Sequence, residues 1–206
     1  GAFGNLTWNP FRLADDALAE GAREILGLER EESLRLGALL TDVERALNAF
    51  RGPGGDSLLV EGRFPQFGDR ALYRELFENG AHPFDAAIED LHASANEFPR
   101  LAREAKGIES DALAPELARL AATLEELTPL ALAMQRYLDL VHAAHVLDAS
   151  PGDANRDAFL AEVEAFKNAS DAIRVRYGES VYGELPGRMN RVINQAMQYL
   201  KNPGSA

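Results

Sequence analysis

The strongest constraint on the fold is the spacing of the apolar residues, which recur every three or four positions along most of the chain. In the clearest stretch they fall at these steps over fifteen residues: Leu36, Leu39, Leu40, Val43, Leu47 and Phe50. This period places the side chains on one face of an α-helix, whereas a half-buried strand would alternate apolar and polar residues. The pattern therefore predicts amphipathic helices that pack through their apolar faces.

The same pattern recurs in other stretches, and turn residues such as Gly27 and the run from Gly52 to Gly55 separate them. The predicted helices span about residues 15–26, 32–51, 69–78, 84–106, 110–147, 154–177 and 186–201. Residues 56–68 are irregular, and we expect a loop there because no second strand is available for pairing. The sequence predicts an all-α helical bundle of about seven helices with no significant sheet. Residues 1–14 form an irregular aromatic segment, and 15–202 form a single helical-bundle domain.

Two prolines lie inside predicted helices. Proline has no backbone N–H to donate, so Pro99 is expected to kink or end the helix that begins near Phe84. Thr128 and Pro129 are compatible with two arrangements: the cap and first turn of a new helix, or a kink within one long helix.

The charge of the chain excludes several classes of partner. A net charge of -12 and the absence of any basic run argue against binding to nucleic-acid phosphates or to an anionic membrane surface. No apolar run approaches the roughly 18 residues needed to span a bilayer. The chain has no cysteine, which excludes disulfides, thiolate catalysis and cysteine-based zinc sites.

The best candidates for a metal site lie on one predicted helix. His142 and His145 are three residues apart, and Asp139 and Asp148 flank them at the same spacing. Side chains three apart share one side of a helix, so they can approach one ion. No recognised metal motif surrounds them, and surface or half-buried histidines are the more common outcome. We therefore predict no metal and no cofactor.

Two pairs of adjacent acids and one group of aromatic residues are further candidates. Asp15-Asp16 and Glu125-Glu126 are adjacent acids that point in different directions on a helix, so solvated charge explains them better than acid–base catalysis does. An aromatic group is expected to pack under a loop, although a sugar or peptide groove is the alternative; it consists of Phe64, Phe67, Tyr73 and Phe77.

The start of the chain resembles a junction in glycoside hydrolase family 84, the bacterial hyaluronidase-like and O-GlcNAcase enzymes. Trp8-Asn9-Pro10 match the segment that ends the catalytic barrel in that family, and Phe11 follows directly. An acidic position, here Asp15 or Asp16, and a helix that ends near Leu26-Gly27 come next. An all-α post-catalytic domain then follows, as it does here.

The resemblance implies a non-catalytic module of a β-N-acetylhexosaminidase-type glycoside hydrolase with a structural or docking role. The paired catalytic aspartates of the family belong to the barrel, so no residue of this chain is expected to be catalytic. Trp8, Asn9, Pro10 and Phe11 would contact the catalytic barrel of the same parent chain. Some relatives use the helical region for dimer contacts, so a homodimer is a further expectation. The alternative is a stand-alone helical protein-interaction module that binds its partner through an apolar groove.

Overall fold

A computed structural model describes residues 14–51, 65–70, 84–111, 113–177 and 184–201. Six α-helices follow one another: α1 (Ala14–Leu26), α2 (Arg30–Arg51), α3 (Phe84–Lys106), α4 (Ala114–Ala149), α5 (Asp153–Tyr177) and α6 (Leu185–Lys201). A short 3-10 helix, Phe67–Asp69, precedes α3. These ranges contain no strand, and the predicted all-α helical-bundle class is confirmed. The predicted helix at residues 69–78 falls mostly outside the described residues.

The helix ends follow the signals in the sequence. Gly27 ends α1 with a positive φ of 67°, a conformation that residues with a Cβ rarely adopt. Its backbone N–H donates to the carbonyl of Arg23 at 3.1 Å. Glu31 and Glu32 lie in the first turn of α2, where acidic side chains stabilise the helix dipole. In the part of the chain that the structure describes, no helix has the length and apolar character needed to cross a membrane.

Both prolines lie inside continuous helices. Two outcomes were expected at Pro99, a kink or the end of the helix. The helix does not end there, because α3 continues to Lys106. Phe98, Leu101 and Ala102 around it are fully buried, and their packing offsets the backbone hydrogen bond that Pro99 cannot make. Of the two arrangements considered at Thr128 and Pro129, the structure has one helix, α4. The Thr128 hydroxyl donates to the Leu124 carbonyl at 2.9 Å, one turn earlier.

Contacts within the chain divide it into two compact units. The first takes in the described residues up to Ala49 together with Ala93–Thr128. The second takes in the described residues of Phe50–His92 together with those from Pro129 onwards. The single domain predicted for 15–202 stays a prediction.

The first unit is held by apolar burial and a few long-range polar contacts. Its larger buried side chains come from α2, α3 and α4: Leu36, Leu39, Val43, Phe98, Leu101, Leu117 and Leu124. The Ser94 hydroxyl donates to the Ala46 carbonyl at 3.0 Å. Arg100 of α3 binds Asp42 of α2 at 3.1 Å, in addition to Glu97 and Glu104 on its own helix. The pKa of Arg100 is raised, mainly by its hydrogen bond to Glu97, so the guanidinium stays charged.

The second unit has one contiguous core to which α4, α5, α6 and the 3-10 helix all contribute. The largest of its fully buried side chains are Phe67, Leu91 of α3, Met134, Tyr137, Leu138, Phe159 and Phe166. Helix α6 packs against α5 and against the 3-10 helix. This core places the C-terminal ends of α4 and α6 beside each other, where the Tyr199 hydroxyl donates to Asp148.

Candidate functional site

The structure describes some of the sequence-predicted site residues and not others. Trp8, Asn9, Pro10 and Phe11 lie outside the described residues, so the predicted junction stays a prediction. Glu125 and Glu126 are exposed, and Glu125 binds the Lys106 ammonium at 2.7 Å. This acidic pair therefore acts as surface charge.

Three of the four residues weighed as metal ligands on α4, namely Asp139, His145 and Asp148, have identified partners, and His142 also interacts with another group. The Nε2 atom of His145 lies 3.2 Å from the backbone carbonyl oxygen of Arg70. A carbonyl can only accept, so Nε2 carries the proton and is not available to a metal in this arrangement. Asp139 accepts from Arg136 at 3.3 Å, and Asp148 accepts from the hydroxyl of Tyr199. Within the described ranges, no three His, Cys, Asp or Glu side chains are grouped closely enough to hold an ion.

An aromatic cluster in the second unit brings together residues that are far apart in sequence. The ring centroids of Phe67, Phe159 and Tyr199 lie 5.5 to 6.0 Å from one another, in tilted or edge-to-face arrangements. The Arg70 guanidinium carbon lies 4.9 Å from the Phe67 centroid and 4.8 Å from the Tyr199 centroid. Phe67, one of the aromatic residues expected to pack under a loop, is therefore a core residue, with 1% of its surface exposed.

Hydrogen bonds fix the 3-10 helix that carries Phe67. The Phe67 backbone N–H donates to Gln195 Oε1 of α6 at 3.0 Å, and the Tyr137 hydroxyl of α4 donates to the Gln66 carbonyl at 2.8 Å. The Asp69 carboxylate accepts from the Gln66 backbone N–H at 2.7 Å. Two helices and a local cap thus hold this short segment in place, with the Phe67 ring against Tyr199.

Beside this cluster lies the Tyr199 cavity, a cleft of about 460 Å³ at the α4–α5 connection. It is lined by Leu147, Asp148, Pro151, Gly152, Asp153, Arg156, Tyr199 and Leu200. The connection is short and internally bonded. The Asn155 side chain donates to the Ser150 carbonyl at 2.7 Å, and the Arg156 backbone N–H donates to the Gly152 carbonyl at 2.9 Å. The volume is within the range of small-molecule sites in proteins.

The polar groups of the Tyr199 cavity carry both signs of charge. Burial of the Tyr199 hydroxyl and its hydrogen bond to Asp148 raise its pKa to about 12, so it remains a donor to that carboxylate. Asp153 is the first residue of α5, and Arg156 lies one turn further along. Among the described residues, none forms an ion pair under 4.0 Å with Asp148, Asp153 or Arg156. The cavity therefore presents two carboxylates and one guanidinium to solvent.

A second polar cluster lies around Asp139 in the same unit. Gln135, only 4% exposed, places Nε2 3.3 Å from His92 Nδ1 and 3.4 Å from the Asp139 carboxylate. Burial raises the pKa of Asp139, and the charge of Arg136 opposes that shift. Burial and the charge of Asp139 raise the pKa of Glu162. The surroundings of these two carboxyl groups therefore favour their protonated forms more than water does.

Sequence reasoning identified Asp148 but missed the rest of the cavity. The predicted helices leave 148–153 between them as a connection, yet nothing in this interval indicates that Tyr199, about fifty residues later, lies beside it. In comparisons with known proteins, no protein-family model, curated protein or solved structure matches this chain.

Proposed function

We propose that this chain is a non-catalytic helical module that follows the catalytic barrel of a β-N-acetylhexosaminidase-type glycoside hydrolase. Its role would be structural: the segment Trp8-Asn9-Pro10-Phe11 docks on the barrel, and the helices that follow form a firm support for it. The order of features supports this proposal, because the resembling segment leads directly into α1 and an all-α fold.

The use of polar groups in the described residues also supports a structural role. Every buried side-chain nitrogen or oxygen in this part of the chain has a hydrogen-bond partner. Ser94, Thr128 and Ser170 each donate to a backbone carbonyl, which ties helices together or closes a turn. Polar groups arranged in this way stabilise a scaffold, since each one satisfies another group of the fold.

The first test is the genomic reading frame upstream of residue 1. The proposal expects a βα-rich region of about 250 to 300 residues there, the size of a barrel with its insertions. A start codon immediately before residue 3 would contradict it.

The second test uses the fact that the chain has one tryptophan. The chain is labelled with fluorotryptophan, so that Trp8 gives one ¹⁹F resonance, and the separately produced barrel is added. We expect the resonance to shift, and Trp8→Ala to weaken binding at least about 30-fold, as for a central aromatic anchor. The matched control is Val175→Ala, at an 85% exposed position on α5, which should bind normally. A barrel that binds without moving the resonance contradicts docking through this segment.

Exposed apolar side chains favour the second candidate, a stand-alone helical interaction module. Ile25 at the end of α1 is 73% exposed, and Leu26 and Leu34 are more than 40% exposed. If these residues form a contact surface, the chain should self-associate or bind a partner through them. Light scattering over a wide concentration range, with Ile25→Asp as the variant, tests this candidate. A strict monomer at all concentrations argues against self-association, whereas a dimer that Ile25→Asp dissociates supports it.

A further inference from the structure

The charges that line the Tyr199 cavity are the feature of the molecule that the proposed function leaves unused. Elsewhere in this unit exposed ionic side chains have partners: Arg174 binds Asp171, and Arg188 binds Glu184. Asp148, Asp153 and Arg156, in contrast, line one cleft and pair with none of the described charges. A ligand that carries both signs of charge would pair with Asp148 and Arg156 at the same time.

The positions of the hydrogen-bonding atoms define what such a ligand carries. Tyr199 uses its proton on Asp148, so its oxygen can only accept a further hydrogen bond. The Asp148 carboxylate has several lone pairs and therefore keeps free acceptor capacity. These acceptors suit an ammonium group, which has three donors and no acceptor. The guanidinium of Arg156 is a fork of donors that fits a carboxylate.

The rest of the cavity wall is apolar. Leu147, Pro151 and Leu200 contribute hydrocarbon surface beside the charged groups. Gly152 has open space where a Cβ would lie, so the wall is not obstructed at that point. A volume of about 460 Å³ accommodates a molecule larger than a simple ion.

From these observations we propose that the Tyr199 cavity binds a small zwitterion with an apolar side chain, the chemistry of a free aliphatic α-amino acid. Its ammonium group binds between Asp148 and the Tyr199 oxygen, its carboxylate binds Arg156, and its side chain lies on Leu147 and Leu200. Because the cleft is open on one side, we expect a Kd on the order of 1 mM for leucine. This inference is independent of the proposed docking function.

Three probes separate the two charge contacts in titrations followed by calorimetry and by ¹H–¹⁵N NMR. Leucine carries both charges, leucinamide only the positive one and N-acetylleucine only the negative one. Leucine should bind at least about 10-fold more tightly than either analogue, and the amide signals of Gly152 and Arg156 should shift. Equal binding of leucinamide and leucine would overturn the role of Arg156, and no leucine binding at 20 mM, roughly 20 times the expected Kd, would overturn the whole proposal.

Matched variants test the same contacts on the full chain. Asp148→Asn and Arg156→Gln should each weaken leucine binding about 10-fold or more. Asp171→Asn and Arg174→Gln, which alter an exposed ion pair on α5 outside the cavity lining, should leave it unchanged. All four positions are on the surface, so circular dichroism should show a native fold in each case. If the cavity variants bind leucine as well as the controls do, the assigned site is wrong.

Discussion

Replacing Phe67 tests whether the 3-10 helix is part of the core of the second unit. Its side chain is 1% exposed, and its ring contacts Phe159 and Tyr199 at centroid distances of 6.0 and 5.5 Å. Removing a buried phenylalanine side chain costs about 3–5 kcal/mol through lost burial and the cavity left behind. Within that sum, each aromatic pair contributes about 0.5–1.5 kcal/mol. We expect Phe67→Ala to fall in this range.

A second substitution at the same site separates burial from aromatic geometry. Phe67→Leu keeps most of the apolar volume but loses the ring contacts and the cation–π interaction with Arg70, so a cost of about 1–3 kcal/mol is expected. The control is Val175→Ala at an 85% exposed position, which should change the free energy of unfolding by less than about 0.5 kcal/mol.

The measurement is urea unfolding followed by far-UV circular dichroism, with the slope of the transition compared between variants. A cost for Phe67→Ala as small as that of Val175→Ala would refute the reasoning. It would mean that the hydrogen bonds that Gln195 accepts from Phe67 and Tyr137 donates to Gln66 do not hold the 3-10 helix in the core.

Three further predictions concern helix ends, burial of charge and surface ion pairs. Gly27→Ala should destabilise the chain by about 1 kcal/mol, because the φ of this residue is 67°. Gly187→Ala should stabilise it by about 0.5 kcal/mol, because the residue lies inside α6 with open space at the Cβ. Thermal unfolding of both variants gives the sign of each change in stability. Burial raises the pKa of Asp139, so its charged form opposes folding at neutral pH, and that penalty is lost as pH falls through its folded pKa towards 3.8. Asp139→Asn should therefore raise the Tm most at pH 7 and little at pH 4; a Tm advantage that grows on acidification would be the contrary result. Arg100→Ala should cost about 0.5–1 kcal/mol in low salt and less in about 0.5 M NaCl, and a cost independent of salt would show that its ion pairs contribute nothing.

The fold class could be predicted from the sequence because apolar spacing and helix-ending residues are local signals. The stripe from Leu36 to Phe50 lies in α2, and Gly27 ends α1 as expected. The effect of Pro99 was harder to predict, since it depends on how well Phe98 and Leu101 pack, which is a tertiary property. Likewise, the period of residues 110–147 did not determine whether Pro129 begins a helix or lies inside one.

The candidate site was largely beyond sequence reasoning because its members meet only through packing. Asp148 and Tyr199 are 51 positions apart, and no residue pattern links the end of α4 with the end of α6. His142 and His145 carried a spacing signal, but that signal could not indicate that the Arg70 carbonyl accepts a hydrogen bond from His145. Short polar motifs thus predicted candidate site residues, and only their partners in the folded chain show which of them form a site.

Pro129 affects how α4 unfolds locally. A residue without an amide proton leaves the Glu125 carbonyl without its usual donor, so the two halves of this helix are joined by one fewer hydrogen bond. The assignment of residues to compact units also changes between Thr128 and Pro129. Local unfolding that begins in either half can therefore stop at this position. In native-state hydrogen exchange, amides before and after Pro129 should fall into two classes of protection rather than one.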